Sequence, residues 1–405
     1  MSTSELRTLF VAFMYPWPAT DGYLLRMSNM VVGLAAAGPV DMFLAHHPDL
    51  VDTADPPAGV TLITAPVELP SRTETAVRWV REGLPRVFLN RTCVQARAVL
   101  QELLSTRTYD VICLSHLDSW WYFRDLLPRP VVVDLDNLEH IKSREGRQFR
   151  PTGASLGVKA KWWATQPFER IDESRMERLQ LECARDVDVV TLCSAIDVAR
   201  SGMPNAVEVP NGYQLEWEPK AKVDITDPDA PVFSFVGLQS YAPNADASRW
   251  MATDVLPRIR ESIPGARFRI VGRRGETLGL ADVPGVTVTG AVDDLHEEML
   301  LADVAVVPIR FGSGTRLKVV EALANRIPVV TTTVGCEGID VVDGEHVLIA
   351  DDAAAFADAC VRLAHDRVVR ERLVDAGAEL FESNYQWSTI RDRFVLLLRE
   401  RSAHR

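Results

Sequence analysis

The sequence has no Cys-x-x-Cys pair. Its six cysteines (93, 113, 183, 193, 336 and 360) are scattered through 405 residues. That excludes a disulfide framework and a cysteine-based zinc site, and fits reduced, buried thiols in a cytoplasmic protein. No charge-free apolar run reaches the roughly 18 residues that a membrane-spanning helix needs. The first apolar run, "LFVAFM" at 9–14, is short and ends in "YPWP". It suits a buried first strand better than the core of a secretory signal, so membrane contact is expected to be at most peripheral. Positive charge is in deficit: 44 Lys and Arg stand against 56 Asp and Glu, a net charge of −12. A nucleic-acid partner is not expected, because phosphate contacts need a basic face. A local basic pocket is compatible with that balance. The chain also lacks internal repeats and low-complexity segments.

What is present is an α/β pattern. Hydrophobic residues make up 47% and charged residues 25% of the chain, as in ordinary globular proteins, and the length suggests two domains or three. Strands are predicted near 8–14, 40–45, 60–64, 110–114, 130–134, 188–193 and 206–209. A second set is predicted near 231–236, 267–271, 285–289, 303–307, 327–332 and 346–350. Runs such as "DVICL", "PVVVDL" and "ADVAVVP" are apolar on both faces, which places them in parallel sheets covered by helices on both sides. The expected class is two doubly wound domains. The polar stretch at 214–230 reads as the linker between them. Ligands in open parallel sheets bind at the carboxyl ends of the strands, so two such domains predict an active site in the cleft between them. The last helix, "WSTIRDRFVLLLRERSAHR", carries Ile390, Phe394, Leu397 and Leu398 at helical spacing, which makes it amphipathic.

The most informative stretch is "PIRFGSGTRLKVVEALANRIPVVTTTVGCEGI" at 308–339. A strand ends at Pro308 and a helix is expected to start near Gly314–Arg316. A helix N-terminus offers unpaired N–H groups and a positive dipole end. Gly312 and Gly314 let backbone approach a ligand closely, and Arg316 and Lys318 add full charges. The arrangement suits a phosphate or diphosphate. Glu321, one to two turns on, is better placed to accept hydrogen bonds from sugar hydroxyls. The Walker phosphate-binding pattern is absent.

These residues resemble the donor-site signature of glycosyltransferase family 4, the group 1 glycosyltransferases. The likeness extends to "YPWPATDGYLLRMSNMVVGLAAAG", "DVICLSH", "PNGYQLEWEP", "FVGLQSYAPNADA", "FRIVGRR" and "YQWSTIRDRF". The resemblance implies the GT-B fold, two facing Rossmann-like domains with the active site in the interdomain cleft. It implies an acceptor domain at 1–215, a donor domain at 216–385 and a terminal helix at 386–405 crossing back to the first domain. It implies a cytoplasmic enzyme that moves a sugar from a nucleotide-diphospho-sugar to an acceptor with retention at the anomeric carbon. The acceptor would be a small molecule, a glycan or a lipid-linked species.

Residue by residue, Glu321 matches the second Glu of the family's paired-Glu motif, which holds the donor ribose. Gly22 matches the glycine loop of the first domain that approaches the donor phosphate. His116 matches the cleft His near the donor sugar and acceptor. Arg273 and Val292 fall on loops expected to reach the base, while Gly312, Ser313, Gly314 and Thr315 form the donor loop. Two departures stand out. The first Glu of the pair is replaced by Ser313, and the cations usual after the "FVG" strand are missing from "LQSYAPNADA". Arg316 and Lys318 are expected to take over that role at the diphosphate, so no metal ion or other cofactor is expected.

Other candidates carry weaker expectations. Asp134 and Asp136 spell the Asp-x-Asp of metal-dependent transferases, but lie in the first domain. They suit either an acceptor contact or helix capping. Trp162 and Trp163, in the cation-containing stretch 150–171, are expected beneath an acceptor lid, with an interfacial helix as the alternative. A sugar-nucleotide epimerase and a non-catalytic sugar-nucleotide-binding partner are the alternative functions.

Overall fold

A computed structural model describes residues 5–19, 21–46, 55–148, 156–215, 217, 219, 224–225, 227–312, 314 and 316–403. The chain divides into two compact units. One holds the residues up to Pro210 together with those from Ile390 onward, and the other is Asn211–Thr389. Part of the expected linker at 214–230, including 220–223, lies outside the described residues.

The first unit contains β1 (Thr8–Ala12), β2 (Val40–His46), β3 (Val60–Pro66), β4 (Val111–Ser115), β5 (Val131–Asp136), β6 (Val189–Leu192) and β7 (Ala206–Glu208). They form one sheet in the order β3-β2-β1-β4-β5-β6-β7, with every neighbouring pair parallel. The second unit contains β8 (Val232–Val236), β9 (Arg267–Val271), β10 (Val286–Gly290), β11 (Val304–Val307), β12 (Val329–Thr331) and β13 (Leu348–Ile349). Its sheet runs β10-β9-β8-β11-β12-β13, again all parallel.

Burial explains why these strands were readable. Every residue of β1, β4, β5 and β6 is buried, as a strand covered on both faces must be. The edge strands β3, β7 and β10 are only partly covered. Each unit has its own apolar core. Leu9, Val11, Phe43, Trp120 and Phe123 belong to the first, and Phe233, Phe235, Phe268, Ile270 and Val306 to the second.

In both sheets the strand order reverses direction once, between β1 and β4 and between β8 and β11. Connections leave to opposite sides there, and a crevice opens at the carboxyl ends of those two strands. The segments following β1, β4, β8 and β11 are therefore where each unit would hold a ligand.

The terminal helix Trp387–Ser402 buries Ile390, Phe394 and Leu398. From Ile390 it belongs to the first unit. Its Arg391 stem packs so close to Gly33 that a β-carbon there would lie 2.9 Å from Arg391 Cβ. The long helix Leu156–Asp186 buries Leu179 and Cys183, as its apolar stripe predicts. Trp163 is different. It is 57% exposed and meets Trp162 edge-on at 5.0 Å, so the expected packing beneath a lid is not found for it. Among the described residues, no helix is long and apolar enough to cross a membrane.

Candidate functional site

In the first unit, the helix Gly22–Ala37 follows β1. Asp21 caps it by accepting a hydrogen bond from Leu24 N at 3.0 Å, which leaves Gly22 exposed at the helix start. One turn on, Arg26 is completely buried. Its Nε donates to both carboxylate oxygens of Asp134 at 3.1 and 2.9 Å, and Nη2 donates to Oδ1 at 2.7 Å. Its Nη1 donates to the Val209 carbonyl at 2.7 Å, and Thr191 Oγ1 donates to Asp134 Oδ1 at 2.7 Å. One side chain thus joins the helix to the end of β5, with Thr191 binding in β6, and to the residue just past β7. Burial alone would push the Asp134 carboxyl up. The adjacent Arg26 guanidinium and the Thr191 hydroxyl outweigh it and hold Asp134 below the usual carboxylate range.

Asp136 lies 3.7 Å from Arg26 Nε and accepts from Asn137 Nδ2 at 2.8 Å. It sits at a register shift between β5 and β6, with φ 58°. The expectations for this pair were an acceptor contact or a cap. For Asp134 the structure shows a buried ion pair instead.

His116 is the first residue of the helix His116–Phe123, directly after β4. It is half-buried and has φ 65°. Its ring lies 4.2 Å from that of Tyr23, centroid to centroid, at 55°. Tyr23 is hydrogen-bonded through its hydroxyl to Ser115 Oγ at 3.0 Å. Tyr23 and His116 therefore meet at the β1/β4 reversal.

In the second unit, the segment after β11 carries Gly312 at φ 109° and Gly314 at φ 91°, backbone that favours glycine. A β-carbon on Gly312 would lie 3.0 Å from Pro243 Cγ and 3.3 Å from the Tyr241 hydroxyl. Ser313 and Thr315 lie outside the described residues. The helix starts at Leu317, with Arg316 just before it. Arg316 is buried, and its guanidinium donates to the carbonyls of Gly312 and of Val334, the latter at 3.1 Å. Two of its donors are thus engaged in holding the loop. The "GCEG" turn closes against the same place. A β-carbon on Gly335 would lie 2.4 Å from the Val307 carbonyl at the end of β11.

Lys318 and Glu321 sit one turn apart on the helix Leu317–Ala324 and line one small cavity together with Ser234, Phe235 and Val236. The cavity, of about 20 Å³, has room for a single water. Ser234 is buried, and its hydroxyl has no hydrogen-bond partner among the described residues. Lys318 Nζ lies 5.7 Å from the Phe235 ring centroid. A β-carbon on Gly237 would lie 3.1 Å from Lys318 Nζ. The ammonium therefore reaches the segment after β8, where the sequence lacks its own cation.

The two charges perturb each other in opposite senses. Burial lowers the Lys318 pKa, Glu321 partly offsets this, and Arg316 adds to it. Burial raises the Glu321 pKa, and Lys318 partly offsets that. A half-buried cation and a half-buried carboxylate without a direct ion pair are groups placed for something other than each other.

Arg273 is exposed in the turn after β9, and Val292 is half-buried after β10. The Arg273 carbonyl accepts from Gln239 N at 2.9 Å. Buried Gln239 fixes the β8 segment by donating to the Gly237 carbonyl at 3.0 Å and accepting from Ser248 Oγ at 2.9 Å. Sequence reasoning did not single out Arg26, Tyr23, Gly237 or Gln239. A charged residue inside the apolar run "YLLRMSNMVV" was a signal for Arg26. Nothing local marks Tyr23, whose hydrogen-bond partner lies 92 positions away.

The two sheets give the chain the GT-B architecture of glycosyltransferases. Sucrose-phosphate synthase from Thermosynechococcus elongatus matches it with a TM-score of 0.67 at 20% identity, over 99% of this chain and 100% of that one. HepE of Anabaena, in complex with UDP and glucose, matches with 0.59 at 13% identity, over 98% and 100%. Residues 230–366 match the family model described as glycosyl transferases group 1. The chain resembles the group 1 glycosyltransferases, and its second unit carries their domain. It is 33% identical over 202 residues to a phosphatidyl-myo-inositol mannosyltransferase of Mycobacterium leprae, covering 47% of this chain and 52% of that protein. The chain spans about half the length of the curated relatives it matches.

Proposed function

We propose that the chain is a retaining glycosyltransferase that moves a sugar from a nucleotide-diphospho-sugar to a small-molecule, glycan or lipid-linked acceptor, in the cytoplasm and without a metal ion. The observation that carries this reading is the Lys318–Glu321 pair at the β8/β11 reversal, half-buried against one small cavity and not ion-paired.

In this reading the Lys318 ammonium and the amides around Leu317 meet the diphosphate, and Glu321 accepts from the ribose hydroxyls. When the bond between the anomeric carbon and the diphosphate oxygen breaks, negative charge grows on the departing group. A fixed cation and helix N-terminus stabilise that charge more than they stabilise the ground state. The diphosphate also offsets the burial that lowers the Lys318 pKa. His116 acts on the sugar or acceptor side. Arg316 keeps the glycine loop in shape. Asp134 already has its cation in Arg26, which supports chemistry that does not route a metal through Asp134 and Asp136.

Incubation with UDP- and GDP-sugars alone, and then with acceptors, tests the reading. Transfer that requires an acceptor is expected. Conversion of the nucleotide sugar without an acceptor would mean an epimerase, and affinity without turnover would mean a binding partner.

A further inference from the structure

His116 has a backbone conformation that needs support. With φ 65° it sits in the left-handed region, which costs a non-glycine residue on the order of 1 kcal/mol and persists where surrounding contacts over-determine it. The Tyr23 ring lies 4.2 Å from the imidazole, and the Tyr23 hydroxyl meets Ser115 Oγ, one residue before His116, at 3.0 Å. The Ser115 carbonyl accepts from Ser119 Oγ at 2.6 Å, in the helix that His116 opens. Tyr23 is itself fixed, because Arg26, one turn along the same helix, is bonded to Asp134 and Val209.

We propose that Tyr23 is the positioning residue for His116: its ring sets the imidazole's orientation and its hydroxyl anchors the ring to the end of β4. The proposal rests on the role given to His116 above. Tyr23 takes no proton in this account. Burial pushes its phenol well above the ordinary value, so the hydroxyl stays protonated. Position matters because a displacement of about 1 Å at a reacting group can cost on the order of a hundredfold in rate.

The test uses the full chain labelled at its eight histidines. The His116 ring signal in the NMR spectrum is the one lost in His116→Ala. In Tyr23→Leu that signal should leave its parental position, because the adjacent aromatic ring is gone. In Tyr23→Phe, which keeps the ring but loses the bond to Ser115, it should move less. Ser115→Ala keeps the ring but removes its anchor, so a smaller move in the same direction is expected. That variant also covers a failure of Tyr23→Leu to fold. The second readout is release of UDP from UDP-glucose or GDP from GDP-mannose. Tyr23→Leu should lower kcat by about tenfold or more with KM within about twofold, and Tyr23→Phe, which keeps the ring, should lose less. An unmoved His116 signal in Tyr23→Leu overturns the proposal. So does a parental rate in Tyr23→Leu where His116→Ala is slow. Parental rates in both variants would instead remove the role given to His116, and the positioning role would fall with it.

Discussion

Asp134 at the end of β5 and Glu321 in the Leu317–Ala324 helix are both carboxylates near a cation, the first buried and the second half-buried, yet their pKa values move in opposite senses. Asp134 accepts from Arg26 and Thr191, and its pKa is lowered. Glu321 has no such donors among the described residues, and burial raises its pKa. The cations mirror this. The Arg26 pKa is raised because Asp134 outweighs its burial, whereas burial lowers the Lys318 pKa. A buried charge that is fully bonded belongs to the fold. A half-buried charge left with only a distant counter-charge destabilises the free protein and is explained by what it binds.

The largest expected effect breaks the bonded side of the comparison. Arg26→Ala leaves Asp134 buried without its partner and should cost about 3–5 kcal/mol in denaturant unfolding. Adding Asp134→Leu should recover much of that loss. The pH dependence has a defined sign. Because the Asp134 pKa is depressed on folding, its contribution is present above the unfolded value near 3.9 and is lost as pH falls through the folded one. Arg26→Ala should flatten that acid limb.

On the other side, Lys318→Met should weaken nucleoside diphosphate binding by about 1.5–3 kcal/mol, the range for hydrogen bonds to charged groups. The ligand-free protein should nevertheless become more stable, by about 0.5–2 kcal/mol. A lowered lysine pKa removes stability as pH falls from near 10.4 through the folded value, and methionine has no such slope.

Glu321→Gln should cost about 1–2 kcal/mol of nucleotide affinity. The raised Glu321 pKa implies stability present below about 4.3 and lost as pH rises through the folded value. The Gln variant should therefore gain on the parent in melting temperature between acid and neutral pH.

The smallest effect is expected from Gly237→Ala. Its backbone is not in the left-handed region, but the new methyl would press on Lys318 Nζ and Asn244 Nδ2. A flexible lysine tip can yield, so the fold should persist while affinity drops by about 1 kcal/mol or less.

How much of this was legible follows from which interactions are local. The strands were readable because β1, β4 and β5 are buried on both faces and contain unbroken apolar runs. The glycine loop and Glu321 were readable because they share one short stretch, 312–321. The role of Arg316 was not, because its Val334 partner reaches it only through the packing of the "GCEG" turn against β11. Asp134 read as a possible ligand contact because Arg26 lies 108 positions away. Trp163 read as buried from its aromatic character alone, which says little about burial for a residue that so often sits at surfaces.

In the proposed function the Lys318–Glu321 pair receives a nucleoside diphosphate without a metal ion. Calorimetric titration of UDP and of GDP into the parent and into Lys318→Met, both in excess chelator, tests it most directly. At least one of the two nucleotides should bind the parent in chelator, and bind Lys318→Met at least about tenfold more weakly. Binding that disappears in chelator and returns with magnesium or manganese would contradict it. So would equal affinity in the two proteins, or no binding of either nucleotide to the parent.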